Sequence, residues 1–237
     1  MTKTWDPAAG TTVRLVSDLI KRPTVRTPGN GRICVARRIS VAQRRSDFIN
    51  AAVEVIATHG IDGATTRRIA EQAQANLAML HYCYDSKEDL FADVYAFVSG
   101  RFREVVKGID PHSGLRDTAR QLLRGVMECY LASASFTAAT IELISWARRQ
   151  HGGRGIAVYD QALETVRAVL REAAADEPVE AGTIDQIAYV IATLADGFAV
   201  NWFTYGDRAA ATQHMDITAS VLDSWLAARL GSAPVAP

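Results

Sequence analysis

Between residues 67 and 90 the chain reads RRIAEQAQANLAMLHYCYDSKEDL, and the chemistry available there is recognition by contact. A helix enters the major groove of DNA only if outward residues near its N-terminus reach base edges while inward residues lock it to a supporting helix. Leu80 has the position of the lock, which leaves Leu77, Ala78, Met79 and His81 facing outward. That surface is apolar: it suits thymine methyls and offers few hydrogen bonds to bases. Catalysis has no comparable footing. The chain contains no H-x-x-x-H or E-x-x-H pair, no nucleophile–base pair and no paired carboxylates at a shared spacing. Cys34, Cys83 and Cys129 lie far apart and form no C-x-x-C pattern, so neither a disulfide framework nor a zinc site is indicated. No metal, no cofactor and no enzymatic activity are expected.

Several short helices must position these residues. Phe48, Ala51, Ala52, Val55 and Ile56 recur at helical spacing and predict a first helix ending near His59–Gly60, with Gly60 as its natural stop. Thr65 can cap a short second helix with Ile69, Ala70 and Ala73 inward, and Asn76 can cap a third that runs through Leu80 and Tyr84. Ser86 and Asp89 give an S-x-x-[DE] start for a fourth. Small Ala70, Ala73 and Ala75 flank the Gln74–Asn76 turn and let the second and third helices approach closely, which is helix-turn-helix spacing. Helical periodicity continues near 87–107, 114–133, 136–150, 156–175, 183–205 and 208–230, and no segment alternates convincingly as a strand. The expected fold class is all-α.

The 26 basic and 26 acidic side chains cancel, but unevenly: residues 1–90 hold 13 Lys/Arg against 9 Asp/Glu. A basic module joined to a more acidic one is the implied arrangement. Residues 1–42 lack a core pattern and carry much of the basic charge. They are expected to be a disordered extension, with contact to nucleic-acid phosphates as the sharper alternative. No apolar run approaches the roughly 18 residues of a membrane-spanning helix, and no signal-peptide core is present, so a cytoplasmic chain without membrane contact is expected.

Residues 44–95, with Gly60, the Thr65–Thr66–Arg67 run, Ile69–Ala70, Leu80, the Tyr82-x-Tyr84 pair and Ser86–Lys87–Glu88, resemble the DNA-binding domain of the TetR (tetracycline repressor) family. The resemblance implies a three-helix helix-turn-helix domain over residues 43–90. It further implies a larger helical ligand-binding and dimerisation bundle over 91–230, with 231–237 a disordered tail. It implies a transcriptional regulator, a repressor, that binds a palindromic double-stranded operator as a homodimer and is released by a small apolar or amphipathic effector. Arg67 matches a position of base contact, and Thr66, Tyr82 and Lys87 match positions that grip phosphates. With Asn76, Leu77, Ala78, Met79 and His81 they make the expected DNA-binding set. Gln74 stands where many members have Gly, and a left-handed backbone there would cost about 1 kcal/mol. Tyr84 fits a core aromatic better than a contact, and Cys83, beside the phosphate-binding surface, has oxidation sensing as a minor alternative.

In the C-terminal bundle, Cys129, Tyr130, Trp146, Phe198 and Trp202 are the expected effector-pocket residues, with ordinary core as the alternative for the two tryptophans. Leu194, Phe198, Leu222 and Trp225 are expected at the dimer interface, on the last two helices. A helical adaptor, or a ligand-binding bundle that has lost DNA binding, stays open as the competing function.

Overall fold

The computed structural model describes residues 40–149 and 154–231, with the side chains of 154–158 left aside. The N-terminal extension up to residue 39, and with it the arm's basic run up to Arg38, lies outside the described residues, as does the tail from 232. The described residues form helices α1 (Val41–Gly63), α2 (Thr66–Gln72), α3 (Leu77–Cys83), α4 (Lys87–Lys107), α5 (Leu115–Ala132), α6 (Ala134–Arg149), α7 (Arg154–Ala173), α8 (Thr183–Tyr205) and α9 (Arg208–Leu230), with a 3-10 turn at Pro111–Ser113 and no strand among them.

Local chemistry sets the breaks at the N-terminal end. Ser40 caps α1, its hydroxyl accepting from the Gln43 amide at 3.1 Å. Gly60, at φ 66°, kinks α1 where its stop was expected, and Ile61 beyond it re-enters the core. The Thr65 hydroxyl accepts from Arg68 N (3.3 Å), Asn76 Oδ1 from Met79 N (2.7 Å) and the Ser86 hydroxyl from Asp89 N (3.1 Å), so all three expected caps form. Between α2 and α3 the Ala75 amide donates to Ala70 O and the Gln74 amide to Glu71 O, the paired bonds of a Schellman turn. Gln74 occupies its left-handed position at φ 52°, where glycine would be unstrained.

One core runs through the whole assembly of helices. Phe48 and Ile56 of α1, Ile69 of α2, Leu80 of α3, Leu90 of α4, Leu122 and Met127 of α5, Leu143 of α6, Ile187 of α8 and Leu222 of α9 are all fully or almost fully buried in it. Across the join between the two expected domains, Ser135 donates to Glu54 at 2.8 Å and the Ile61 amide to Glu142 at 3.5 Å, tying α6 to α1. Helix α8 corrects one expectation, since by length and composition it is apolar enough to cross a membrane. In this fold its Ile187, Ala188, Ile191, Ala195 and Phe198 are buried within the bundle.

Tyr84 is a core residue, as its spacing predicted. Its ring meets Phe48 edge-on at 6.5 Å and lies beneath the Arg45 guanidinium at 4.6 Å, while its hydroxyl donates to Asp93 at 3.0 Å. Burial pushes its phenol up to about 12. The folded state therefore holds this proton more tightly than the unfolded one, whose phenol titrates near the ordinary 10.0. Its stabilisation is intact below pH 10 and is lost as pH rises toward 12. A Tyr84→Phe variant should show a shallower loss of stability over that window in denaturant melts, and tyrosinate absorbance should report one fewer late-ionising phenol. An unchanged alkaline profile would remove Tyr84 as a source.

Candidate functional site

Helices α2 and α3 are too short to persist alone, and they are held by what they bury. Ile69, Ala70, Leu80 and Cys83 point into the core. The opposite side of α3 presents Ala78, Met79, His81 and Tyr82 to solvent, with Tyr82 73% exposed and Met79 37%. Leu77 departs from its expected outward position: it is half-buried against the core. It precedes Leu80 by three residues, so the two share a helix face and the lock carries Leu77 inward with it. Cys83 is also buried, which takes its thiol off the surface where oxidation sensing would need it.

The polar members of the set are placed differently from one another. Arg67, on the first turn of α2, is exposed and has no hydrogen bond or ion pair to the described residues. Its neighbour Arg68 is committed, donating to Gly63 O at 2.8 Å. Thr66 is half-buried beside the Thr65 cap, and the Asn76 side chain is occupied as the cap of α3. The Lys87 ammonium donates to Ile61 O at 3.4 Å and lies 4.8 Å from the Phe91 ring centre, so it rests against the end of α1. To reach a phosphate it must exchange that carbonyl for an anion, a favourable exchange of a neutral for a charged acceptor.

The second feature is a cavity of about 130 Å³, lined by α4 to α8 and open to solvent on one side. Val98 and Phe102 of α4, Val126 and Tyr130 of α5, Leu143 of α6 and Ile191 of α8 supply apolar walls. The Tyr130 ring packs on Phe102 at 5.5 Å. Asp196 of α8 enters this wall and accepts a hydrogen bond from the Tyr159 hydroxyl at 3.0 Å. Burial pushes the Asp196 carboxyl up from its ordinary range, and burial and the neighbouring carboxylate push the Tyr159 phenol up.

Of the five expected pocket residues only Tyr130 lines this cavity. Cys129 sits one position away on α5, about 100° around the helix, beside Arg101. Trp146 packs edge-on against Phe91 at 5.8 Å as core. Phe198 and Trp202 border a separate hollow of about 20 Å³ at the junction of α8 and α9, where the Trp202 indole N–H has no partner among the described residues. The sequence carried two signals for the cavity: Tyr95, Val98 and Phe102 at helical spacing on α4, and a lone acid, Asp196, inside the apolar run IATLADGFAVNWF.

The expected dimer residues divide in the same manner. Leu222 is fully buried within its own chain and Phe198 nearly so, and neither can face a partner. Leu194 and Trp225 are half-buried. The large apolar side chains left in solvent on these helices are instead Val200 and Phe203 on α8 and Ile217 and Val221 on α9, besides the rings of Tyr189 and Tyr205 on α8. Gly197 adds an open backbone position one turn before Val200, with nothing near its missing Cβ.

Residues 48–94 match the model of the bacterial regulatory proteins of the tetR family. The chain is 26% identical over 192 residues to an HTH-type nicotine-responsive transcriptional repressor of Paenarthrobacter nicotinovorans, covering 80% of this chain and 97% of that one. Its fold resembles that of a TetR transcription regulator from Haloarcula marismortui, with a TM-score of 0.62 at 20% identity over 80% of this chain and 99% of that one. It also resembles the Bacillus subtilis regulator FadR in complex with stearoyl-CoA, with a TM-score of 0.57 at 18% identity over 74% and 97%.

Proposed function

Because the chain belongs to the tetR family of bacterial regulatory proteins and is a DNA-binding transcriptional regulator released by a small-molecule effector, we propose that it reads its operator as a homodimer through Arg67 and the exposed face of α3. The exposed Arg67 guanidinium, unpaired among the described residues and beside an apolar recognition helix, carries this assignment, since α3 itself offers few groups that can bond to base edges. Thr66, Tyr82 and Lys87 position the protein on phosphates and read nothing. Residues 43–90 bear the DNA contacts, and 91–230 bear the effector cavity and the dimer face.

Two apolar stripes, Val200 with Phe203 and Ile217 with Val221, meet their twofold copies in a four-helix interface, with Leu194 and Trp225 at its margin. A twofold dimer spaces two recognition helices for half-sites about 34 Å apart. An effector releases DNA only if it binds more tightly to the conformation that fits DNA poorly. Helix α4 lines the cavity with Tyr95, Val98 and Phe102 and begins at Lys87 against α1. Helix α6 lines it with Thr140 and Leu143 and holds the Ile61 amide through Glu142. A ligand that parts α4 from α6 therefore moves both supports of the reading head. The similarity to a nicotine-responsive repressor supports repression lifted by a small molecule.

A mobility-shift titration on DNA upstream of the gene tests this directly. Arg67→Ala should weaken binding to the best site by about 1–3 kcal/mol and barely change binding to random DNA. Lys87→Ala should lower the log–log salt slope by about 1 per half-site, and an unchanged slope would take Lys87 out of the contact set. Absence of any shift with a folded dimer would favour the helical adaptor over the regulator.

A further inference from the structure

The cavity between α4 and α8 contains a carboxylate that has no cation partner among the described residues. Among the described residues only one oxygen of Asp196 is hydrogen-bonded, to Tyr159, and no positive side chain is paired with it. Arg103 also borders the cavity, but it is exposed and its charge acts on Glu104. The cavity walls are mostly aliphatic and aromatic, with the rings of Tyr95, Phe102, Tyr130 and Tyr159 among them, and Ser99, Thr140, Gln161 and Thr165 as neutral polar members. A carboxylate in such surroundings is poorly solvated, and its raised pKa reflects that burial. A neutral hydrocarbon would bury it further without compensation, and an anion would repel it. A cation would offset the lost hydration and gain from the ring faces as well.

We propose that the cavity takes a small hydrophobic amine in its protonated form, the ammonium paired with Asp196 and the hydrocarbon part lying against Phe102, Val126, Leu143 and Ile191. This assignment rests on the effector function proposed above and names its ligand class. The cavity of about 130 Å³ is close to the roughly 150 Å³ that accommodates a single benzene ring in an apolar core. One ring is of the size of that space, the cavity's open side leaves room for a short basic arm, and the arm's charge answers the single carboxylate. Tyr159 is a positioning residue: its hydroxyl holds one carboxylate oxygen and leaves the other for the ligand.

Three nearly isosteric probes separate charge from shape: N,N-dimethylbenzylamine (a cation at neutral pH), isobutylbenzene (neutral) and phenylacetate (an anion). Calorimetric titration of the full chain should give the order amine, then hydrocarbon, with no detectable phenylacetate binding. Asp196→Asn should weaken the amine about tenfold to a hundredfold, the effect of losing one charge-assisted hydrogen bond, with the loss confined to the amine. Equal affinity of the wild-type protein for amine and hydrocarbon would overturn the proposal, as would phenylacetate binding best or amine binding that survives Asp196→Asn. The wild-type comparison needs no variant, so it decides even if Asp196→Asn folds poorly. Mobility shifts with the same probes keep the two levels apart. Amine that binds through Asp196 without releasing DNA would leave this site standing and sink its regulatory role, and DNA released by phenylacetate alone would do the reverse.

Discussion

A Val221→Glu protein should be a folded monomer that no longer binds its operator, and the same change one residue later, Leu222→Glu, should leave no stable fold at all. Val221 is 49% exposed on α9 and Leu222 is fully buried in the chain's own core. One step along a helix rotates the side chain by about 100°, enough to move from solvent to interior. In the isolated chain Val221→Glu meets water and should change stability by only about 0.5 kcal/mol. In the proposed dimer it would bring two like charges together at a desolvated twofold contact, costing several kcal/mol of association. One reading head then covers one half-site, and specific binding is lost. Leu222→Glu instead buries a carboxylate among apolar neighbours of a domain whose total stability is about 5–15 kcal/mol. Sedimentation and circular dichroism distinguish the two results. An intact Val221→Glu dimer would move the interface elsewhere, and a folded Leu222→Glu chain would contradict the packing of α9.

The next largest effect is expected at Leu80, where truncation to alanine should cost about 2–5 kcal/mol and abolish operator binding. Leu80 is 1% exposed, and with half-buried Leu77 it is what holds seven-residue α3 in place. A helix this short has almost no stability of its own in water, so its packing is its stability. The damage should therefore be concentrated locally. Amide exchange over residues 77–83 should accelerate far more than in α5 or α8, and operator affinity should fall even under conditions where the bundle stays folded. Uniform loss of protection across the chain, or affinity within about threefold of wild type, would mean that α3 is held by something other than this contact.

How much of this was legible in advance depended on the range of the interaction. The caps at Thr65, Asn76 and Ser86 and a helix break at Gly60, which proved a kink, are visible in the sequence, and the family resemblance pointed to the left-handed backbone at Gln74. Each depends on a bond or dihedral within a few residues, where the chain has no alternative partners. The stripe of Phe48, Ala52 and Ile56 was legible for the same reason, since a single buried face on a helix shows directly in its period.

What an apolar side chain faces was not decided at that level. Helices α8 and α9 meet three surroundings: the chain's own core, the proposed ligand cavity and the exposed face assigned to a partner. All three select large apolar residues, so Leu222 and Val221, or Phe198 and Val200, look alike as sequence. Only the packing of α5, α8 and α9 assigns Leu222 to the interior and leaves Val221 outside. Likewise, only the approach of α7 to α8 turns Asp196, one acid on an apolar helix, into a carboxylate held by Tyr159 inside a cavity. Hydrophobicity determines that a residue is taken from water; being non-directional, it leaves the choice of neighbour to the tertiary fold.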